Sequence, residues 1–235
     1  TERMLSAFGV DIEFSPGHAR LRGGQRLRAT DIAVPADFSS SAFFLVAASI
    51  VPGSELRLRA VGLNPRRTGL LHALRLMGAD IVEENPAIHG GEPVADLVVR
   101  HAPLHGIEVP EALVPDMIDE FPALFAAAAC AEGPTVVRGA AELRVKESDR
   151  LAAMATGLRT LGLRVDETPD GATIHPGELA AGTIESHGDH RIAMAFAVAA
   201  QRSTGEVRVE DVANVATSFP GFDSLARGCG FGLAS

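Results

Sequence analysis

The hydrophobic positions of this chain follow one order three times. Residues 41–63 match residues 121–143 about eighty positions later, and both segments match residues 193–215. Each segment reads as an apolar helix, a turn marked by a glycine and a strand, with Gly53, Gly133 and Gly205 in the same place. Similarity at a regular spacing is typical of a duplicated structural unit. The pattern therefore predicts three diverged copies of one unit.

Each copy predicts the element order βαβαββ. A short strand leads into a helix that is apolar all round, which indicates a helix buried among its neighbours. The next strand alternates, with Leu56, Leu58 and Ala60 on one face and charged residues between them. The predicted leading strands are residues 31–34, 106–109 and 183–186. We therefore expect an α+β fold whose helices lie inside.

The second half of the unit begins with a helix that has one apolar stripe, as in Leu151, Met154 and Leu158. This helix ends at a glycine that suits a C-terminal cap. The three glycines are Gly78, Gly162 and Gly230. The predicted closing strands are residues 80–83 and 95–100 in the first copy, and residues 164–167 and 172–175 in the second.

The two ends of the chain do not match whole copies. The first residues read as a helix, Gly9 and a strand, like the end of a preceding unit, and the third copy stops before its closing strands. We therefore expect residues 1–30 to be the remnant of an N-terminal domain. Residues 31–235 would form the C-terminal domain of a two-domain protein, with repeats at about 31–105, 106–182 and 183–235. The alternative is ordinary helix and strand alternation in one α/β domain.

Composition excludes several classes of protein. Of the 235 residues, 46% are hydrophobic, which excludes a disordered chain, and the apolar stretches are about half as long as a bilayer span requires. The net charge of −9 disfavours nucleic acid as a partner, because nucleic-acid affinity depends on clustered cations. Cys130 and Cys229 lack a metal-binding spacing, so we expect two free thiols in a cytoplasmic protein with no membrane segment.

Charged residues are concentrated at one predicted end of the units. The repeat register places Ser39, Asp119 and Arg191 at the entrances of the three buried helices, where free N–H groups favour an anionic ligand. Residues 144–150, RVKESDR, precede the second helix of the second copy. One interpretation is helix capping, with Ser148 as the cap. The other is a site where cations bind oxyanions while a carboxylate moves a proton.

Two histidines raise a metal-site alternative. His187 and His190 are close in sequence, but the further ligands that zinc sites supply are missing, and we expect no metal. His190 is also consistent with a structural role, as a hydrogen-bonded residue in the first turn of a helix. Asp119 and Glu120 are equally plausible helix-start acids, and Pro122 fits a helix N-terminus.

Four motifs together resemble one family. Residues 118–122 (IDEFP), 142–150 (ELRVKESDR), 189–191 (DHR) and 216–220 (ATSFP) resemble the C-terminal half of 5-enolpyruvylshikimate-3-phosphate synthases, a likeness that runs from Thr1 to about Gly232. The sister family of UDP-N-acetylglucosamine enolpyruvyl transferases shares the fold but not the KESDR motif, and is the second candidate. A non-catalytic anion-binding half-domain and a metal-dependent hydrolase are further alternatives.

The resemblance implies an inside-out α/β barrel and a reaction. The 5-hydroxyl of shikimate 3-phosphate adds to C2 of phosphoenolpyruvate while C3 is protonated, and phosphate then leaves the tetrahedral intermediate. No cofactor is implied. The missing N-terminal domain is the expected partner, and the intact enzyme is expected to be a cytoplasmic monomer.

The resemblance also assigns roles to individual residues. Asp119 would hold and deprotonate the shikimate hydroxyl, and Glu147 would act as acid and base at C3. Lys146 would contact shikimate 3-phosphate. Arg150 and Arg191 would bind phosphoenolpyruvate, in keeping with the match between guanidinium groups and oxyanions.

His190 completes the expected substrate-binding residues. This chain differs from the family in two respects. Thr217 stands where some family members have a lysine. In the family the N-terminal domain supplies further lysine, serine, arginine and glutamine side chains to the same cleft. We therefore expect this chain alone to be inactive.

Overall fold

The computed structural model describes residues 1–234, and Ser235, the last residue of the predicted third repeat, lies outside them. The helices are α1 (Glu2–Ala7), α2 (Phe38–Ile50), α3 (Gly69–Leu76), α4 (Phe121–Ala129), α5 (Arg150–Thr160), α6 (His190–Ala199), α7 (Val215–Ser218) and α8 (Phe222–Gly228). Three 3₁₀ segments cover Glu111–Glu120, Ala141–Val145 and Ala200–Arg202.

The strands form four small sheets. They are β1 (Ile12–Ser15), β2 (His18–Leu21), β3 (Glu55–Gly62), β4 (Asp80–His89), β5 (Glu92–Arg100), β6 (Thr135–Val137), β7 (Arg164–Thr168), β8 (Gly171–His175), β9 (Gly182–Glu185) and β10 (Val207–Glu210). The orders β3-β5-β4 and β6-β8-β7 are antiparallel and identical in topology, β9 pairs with β10 in parallel, and β1 pairs with β2 as a hairpin. The closing strands predicted for the first two repeats are confirmed.

Helices α2, α4 and α6 form the centre of the molecule. They contact one another and are buried around almost their whole circumference, because their sequences are apolar or small on every face. The strands lie outside them, which confirms the predicted arrangement of buried helices. Small residues such as Ala126 and Ala195, both fully buried, allow this close approach.

The predicted glycine caps are also confirmed. Gly78, Gly162 and Gly230 follow helices α3, α5 and α8 with φ angles of 92°, 92° and 93°. Only glycine adopts this left-handed conformation without a steric cost from Cβ, so the same residue ends the same helix in each unit.

The predicted leading strands are only partly present. Residues 31–34 form no strand and are exposed, and the first copy pairs only through Ala36, in parallel with Val61. Ala36 uses both its N–H and its C=O on β3, and the ladder stops there because Ala60 N, the donor that Val34 would need, binds Asp96 Oδ1 at 2.8 Å instead. Residues 106–109 pair through the isolated bridge from Glu108 to Val136, because β6 is only three residues long. In the third copy the prediction is correct, since β9 is a strand.

The predicted alternation in β3 is wrong at its end. Leu56 and Leu58 are partly buried, but the register of β3 against β5 shifts between Leu58 and Val61. This bulge leaves Ala60 exposed with a φ of 50°, and Val61 takes the buried position.

The first thirty residues form a small separate group of elements. Helix α1, Gly9 and the β1–β2 hairpin occur in the predicted order, and Val10 is the one buried hydrophobic residue among them. Arg3 pairs with Glu92 of β5 at 2.8 Å. No closing strands follow α8 within residues 183–234, and none of the helices described for residues 1–234 has the length and apolar character needed to cross a bilayer.

Candidate active site

The N-termini of four helices converge at one end of the buried core. Three of these helices begin with an aspartate cap: Asp37 accepts from Ser40 N at 2.7 Å, Asp149 from Ala152 N at 3.0 Å and Asp189 from Arg191 N at 2.9 Å. Helix α4 begins at Phe121, with Pro122 in its first turn as the sequence predicts. Converging N-termini place several partial positive charges around one point.

The Asp119 carboxylate lies at the centre of this region, among three cations. Arg150 Nη1 lies 3.4 Å from Asp119 Oδ1, Lys146 Nζ lies 3.8 Å from the same oxygen, and Arg191 Nη2 lies 3.9 Å from Asp119 Oδ2. Arg191 is seventy-two residues away in sequence and also donates to the Asp119 carbonyl at 3.0 Å. The structure thus brings candidate residues of the second and third units together.

Arg150 connects three carboxylates from inside the protein. Its side chain is 1% exposed, and Nε donates to Asp189 Oδ2 at 2.8 Å while Nη1 and Nη2 face Asp119 and Glu147. Asp189 is fully buried. Burial raises the pKa of its carboxyl, but the hydrogen bonds and charge of Arg150 outweigh burial and hold the pKa below its ordinary value. The buried pair is therefore ionised.

Lys146 and Glu147 extend from the turn between the 3₁₀ segment Ala141–Val145 and α5. Lys146 Nζ lies 2.5 Å from Glu142 Oε1, one helical turn earlier in sequence. The Glu147 side chain is 54% exposed and contacts Arg150, so it combines access to solvent with one fixed partner.

Other residues of the charged motif have structural roles. Ser148 is not the helix cap that the capping interpretation expects: Asp149 is the cap, and Ser148 Oγ donates to Asp189 at 3.0 Å. Arg144 points away from Asp119 and binds Asp149 at 2.9 Å and Glu167 at 2.9 Å. Capping therefore explains Asp149, and the site interpretation stays a prediction for Lys146, Glu147 and Arg150.

His190 is the first residue of α6 and is half-buried. Burial lowers the pKa of its imidazole, and the nearby Arg191 and Arg150 lower it further, which favours the neutral ring. His187 is exposed, with a φ of 55°. Among residues 1–234, no three or more His, Cys, Asp or Glu side chains are grouped to hold a metal ion.

The sequence patterns did not predict the contacts of two further residues at the site. Glu120 is buried and accepts a 2.5 Å hydrogen bond from Ser39 Oγ, and Arg67 donates to the same hydroxyl at 2.7 Å. Arg67 lies in the turn of the first unit that corresponds to the charged motif of the second. The repeat register could have indicated it.

Carboxylates are at least as numerous as cations in this region. The cations are Arg67, Lys146, Arg150 and Arg191, and the carboxylates are Asp119, Glu120, Glu142, Glu147 and Asp189. A ligand with several negative charges therefore requires additional cations from outside this group.

Comparisons with known proteins agree on the family. The model of EPSP synthase (3-phosphoshikimate 1-carboxyvinyltransferase) matches residues 1–225. A 3-phosphoshikimate 1-carboxyvinyltransferase of Xanthomonas euvesicatoria is 83% identical over 99% of this chain, and one of Xanthomonas campestris is 82% identical over all of it. These matches cover 53% and 54% of the relatives, so the chain spans about half the length of the curated relatives it matches.

Solved structures give the same result. EPSP synthase from Acinetobacter baumannii has a TM-score of 0.95 at 51% identity, covering 98% of this chain and 54% of that one. An enolpyruvyl transferase of Streptomyces tendae has a TM-score of 0.71 at 21% identity, covering 95% of this chain and 50% of that one, and supports the fold alone. The inside-out arrangement of repeated units is thus the enolpyruvyl transferase fold, and the chain belongs to the EPSP synthase family.

Proposed function

We propose that this chain forms one wall of an active site that transfers the enolpyruvyl group of phosphoenolpyruvate to shikimate 3-phosphate. The 5-hydroxyl of shikimate 3-phosphate adds to C2 of phosphoenolpyruvate, and C3 gains a proton. The tetrahedral intermediate then loses inorganic phosphate, and C3 returns its proton to restore the double bond. The other wall would come from the N-terminal domain, in keeping with relatives about twice as long as this chain.

The convergence of three cations on the Asp119 carboxylate is the observation that carries this proposal. Lys146, Arg150 and Arg191 lie within 3.9 Å of Asp119 oxygens at the N-termini of buried helices. A phosphate or carboxylate that enters would replace some of these contacts. Asp119 would then accept a hydrogen bond from the substrate hydroxyl and take its proton. Lys146 would bind the 3-phosphate.

Arg150 and Glu147 suggest how substrate binding and proton transfer are linked. All three donor nitrogens of Arg150 already face carboxylates, and only Glu147 is exposed enough to move away easily. Binding of phosphoenolpyruvate to Arg150 would therefore displace Glu147. The released side chain, once it has taken up a proton from solvent, would give that proton to C3 and, as a carboxylate, would later remove one from C3, the role of a positioned acid and base.

Arg191 and His190 would complete the phosphoenolpyruvate side. The Arg191 side chain is 15% exposed, so its guanidinium retains a small accessible edge for a two-point contact with carboxylate or phosphate. The neutral His190 ring would contribute a hydrogen bond without another charge.

The domain assignment and the cellular setting belong to the same proposal. Residues 1–30 would belong to the N-terminal domain and residues 31–235 to the C-terminal domain, since residues 22–34 are exposed and form neither helix nor strand. The free thiols of Cys130 and Cys229 support the expected cytoplasmic location, and the intact enzyme would act as a monomer.

A full-length chimera tests the proposal. In it, this chain replaces the matching segment of the Xanthomonas euvesicatoria relative. We expect Glu147→Gln to lower turnover by a factor on the order of 10² to 10⁴, the usual contribution of an acid or base, with shikimate 3-phosphate binding unchanged. Glu178→Gln, the same change at an exposed residue, is the matched control. Equal turnover of the two variants would place the proton transfer elsewhere.

A further inference from the structure

Glu120 is a buried carboxylate at the site to which the proposed reaction assigns no role. Its side chain is 1% exposed, it precedes α4, and it follows Asp119 directly. A carboxylate removed from water is costly unless hydrogen bonds and charges compensate for the lost hydration. The partners of Glu120 therefore indicate why it is there.

These partners come from the first and third units, while Glu120 itself belongs to the second. Ser39 of α2 donates its hydroxyl to Glu120 Oε1 at 2.5 Å, and Arg67, before α3, donates to Ser39 Oγ at 2.7 Å. Arg191 Nη1 of α6 lies 3.6 Å from the same Oε1. Asp119 is the one like charge that adjoins it. Burial holds the pKa of Glu120 above its ordinary value, and the charge of Asp119 adds to the rise, while the Ser39 hydrogen bond and the charges of Arg191 and Arg67 offset only part of it.

Glu120 holds one side of the Arg191 guanidinium. Nη1 lies between the Asp119 carbonyl, at 3.0 Å, and Glu120 Oε1, whereas Nη2 is 3.9 Å from the Asp119 carboxylate. Two oxygens on Nη1 determine the plane of the guanidinium. A planar fork binds carboxylate or phosphate at two points only if that plane is correct.

We propose that Glu120 is a positioning residue for phosphoenolpyruvate, which fixes the Arg191 guanidinium from the buried side and is itself held by Ser39 and Arg67. The inference rests on the proposed function, because it takes Arg191 as a ligand of phosphoenolpyruvate. Glu120 itself contacts no substrate.

A positioning role and a purely electrostatic role of Glu120 predict opposite effects of Glu120→Gln on phosphoenolpyruvate binding. Glu120→Gln removes a negative charge beside the anion site, so charge alone would tighten phosphoenolpyruvate binding. Loss of the correct guanidinium plane would weaken it. In the full-length chimera we expect the KM for phosphoenolpyruvate to rise about tenfold, because Nη1 loses the 3.6 Å ion pair with Glu120 that holds the guanidinium from the buried side. The KM for shikimate 3-phosphate should stay within about twofold.

A double-mutant cycle shows whether the effect acts through Arg191. Added to Arg191→Lys, which lacks the fork, Glu120→Gln should change the KM for phosphoenolpyruvate little. Asp116→Asn is the control, since Asp116 lies in the same 3₁₀ segment but pairs with the exposed Arg66 at 3.4 Å. If Glu120→Gln does not fold, Ser39→Ala is judged by the same criteria.

Each outcome decides a different claim. Three results for Glu120→Gln would overturn the positioning role while the proposed function stands. The KM for phosphoenolpyruvate could fall, or it could equal that of Asp116→Asn. It could also rise by the same factor with and without Arg191→Lys. An inactive unmodified chimera would overturn the proposed function, and this inference with it.

Discussion

Arg150 combines burial with a position among candidate site residues. Its guanidinium is 1% exposed and reaches carboxylates on α6, before α4 and in its own motif. The sequence predicts the charged motif and its place before α5, because both are local. It does not predict the burial of Arg150 or of Asp189, because their partners lie 31 to 39 residues apart in the chain.

We predict that Arg150→Met lowers the free energy of unfolding by about 3 to 5 kcal/mol, because it leaves the fully buried Asp189 without its counter-charge. Arg138→Met is the control: Arg138 pairs with Glu108 at the surface, and exposed pairs contribute about 0 to 1 kcal/mol. Urea denaturation of the two variants measures the difference. Similar losses in both would show that the Arg150 network does not stabilise the fold.

For helices and strands, sequence patterns that depend on neighbouring residues predicted the structure well, and features that depend on contacts between units were not predicted. The buried helices, the closing strands and the glycines after α3, α5 and α8 follow from periodicity and capping, which depend on neighbouring residues. The leading strand predicted at residues 31–34 does not form because Ala60 N binds Asp96 instead of Val34. The predicted alternation is wrong at Ala60 because β3 has a bulge there. The sequence indicates Glu120 as a helix-start acid but does not predict its burial, because its hydrogen-bond partner Ser39 lies in another unit.

Packing of α5 on α6 supports a prediction at this scale. A Cβ added at Gly157 would lie 2.2 Å from Phe196 Cζ, far inside van der Waals contact. Ala favours a helix over Gly by about 1 kcal/mol, but overpacking costs about 1 to 3 kcal/mol, so Gly157→Ala should be destabilising. Gly228→Ala in α8 meets no atom within 4 Å and should be neutral or stabilising. Thermal unfolding measures both, and a stabilised Gly157→Ala would contradict the packing described.

At the scale of the molecule, the three units contribute different parts of one site. Arg67 and Ser39 come from the first unit, Asp119 from the second and Arg191 from the third. The contacts of Ser39 with Glu120 and of Arg191 with Asp119 cross between units, so the site depends on the packing of α2, α4 and α6. Yet the five carboxylates outnumber the four cations, and the two phosphorylated substrates of the proposed reaction would require more positive charge than this region supplies.

Release of inorganic phosphate from phosphoenolpyruvate and shikimate 3-phosphate tests the central claim most directly. The assay compares this chain alone with the full-length chimera made with the Xanthomonas euvesicatoria relative. We predict that the chimera releases phosphate only when both substrates are present, and that the chain alone releases none, because the contacts that the proposed N-terminal domain would supply are absent from it. Phosphate release by the chain alone, or an inactive chimera, would contradict the account.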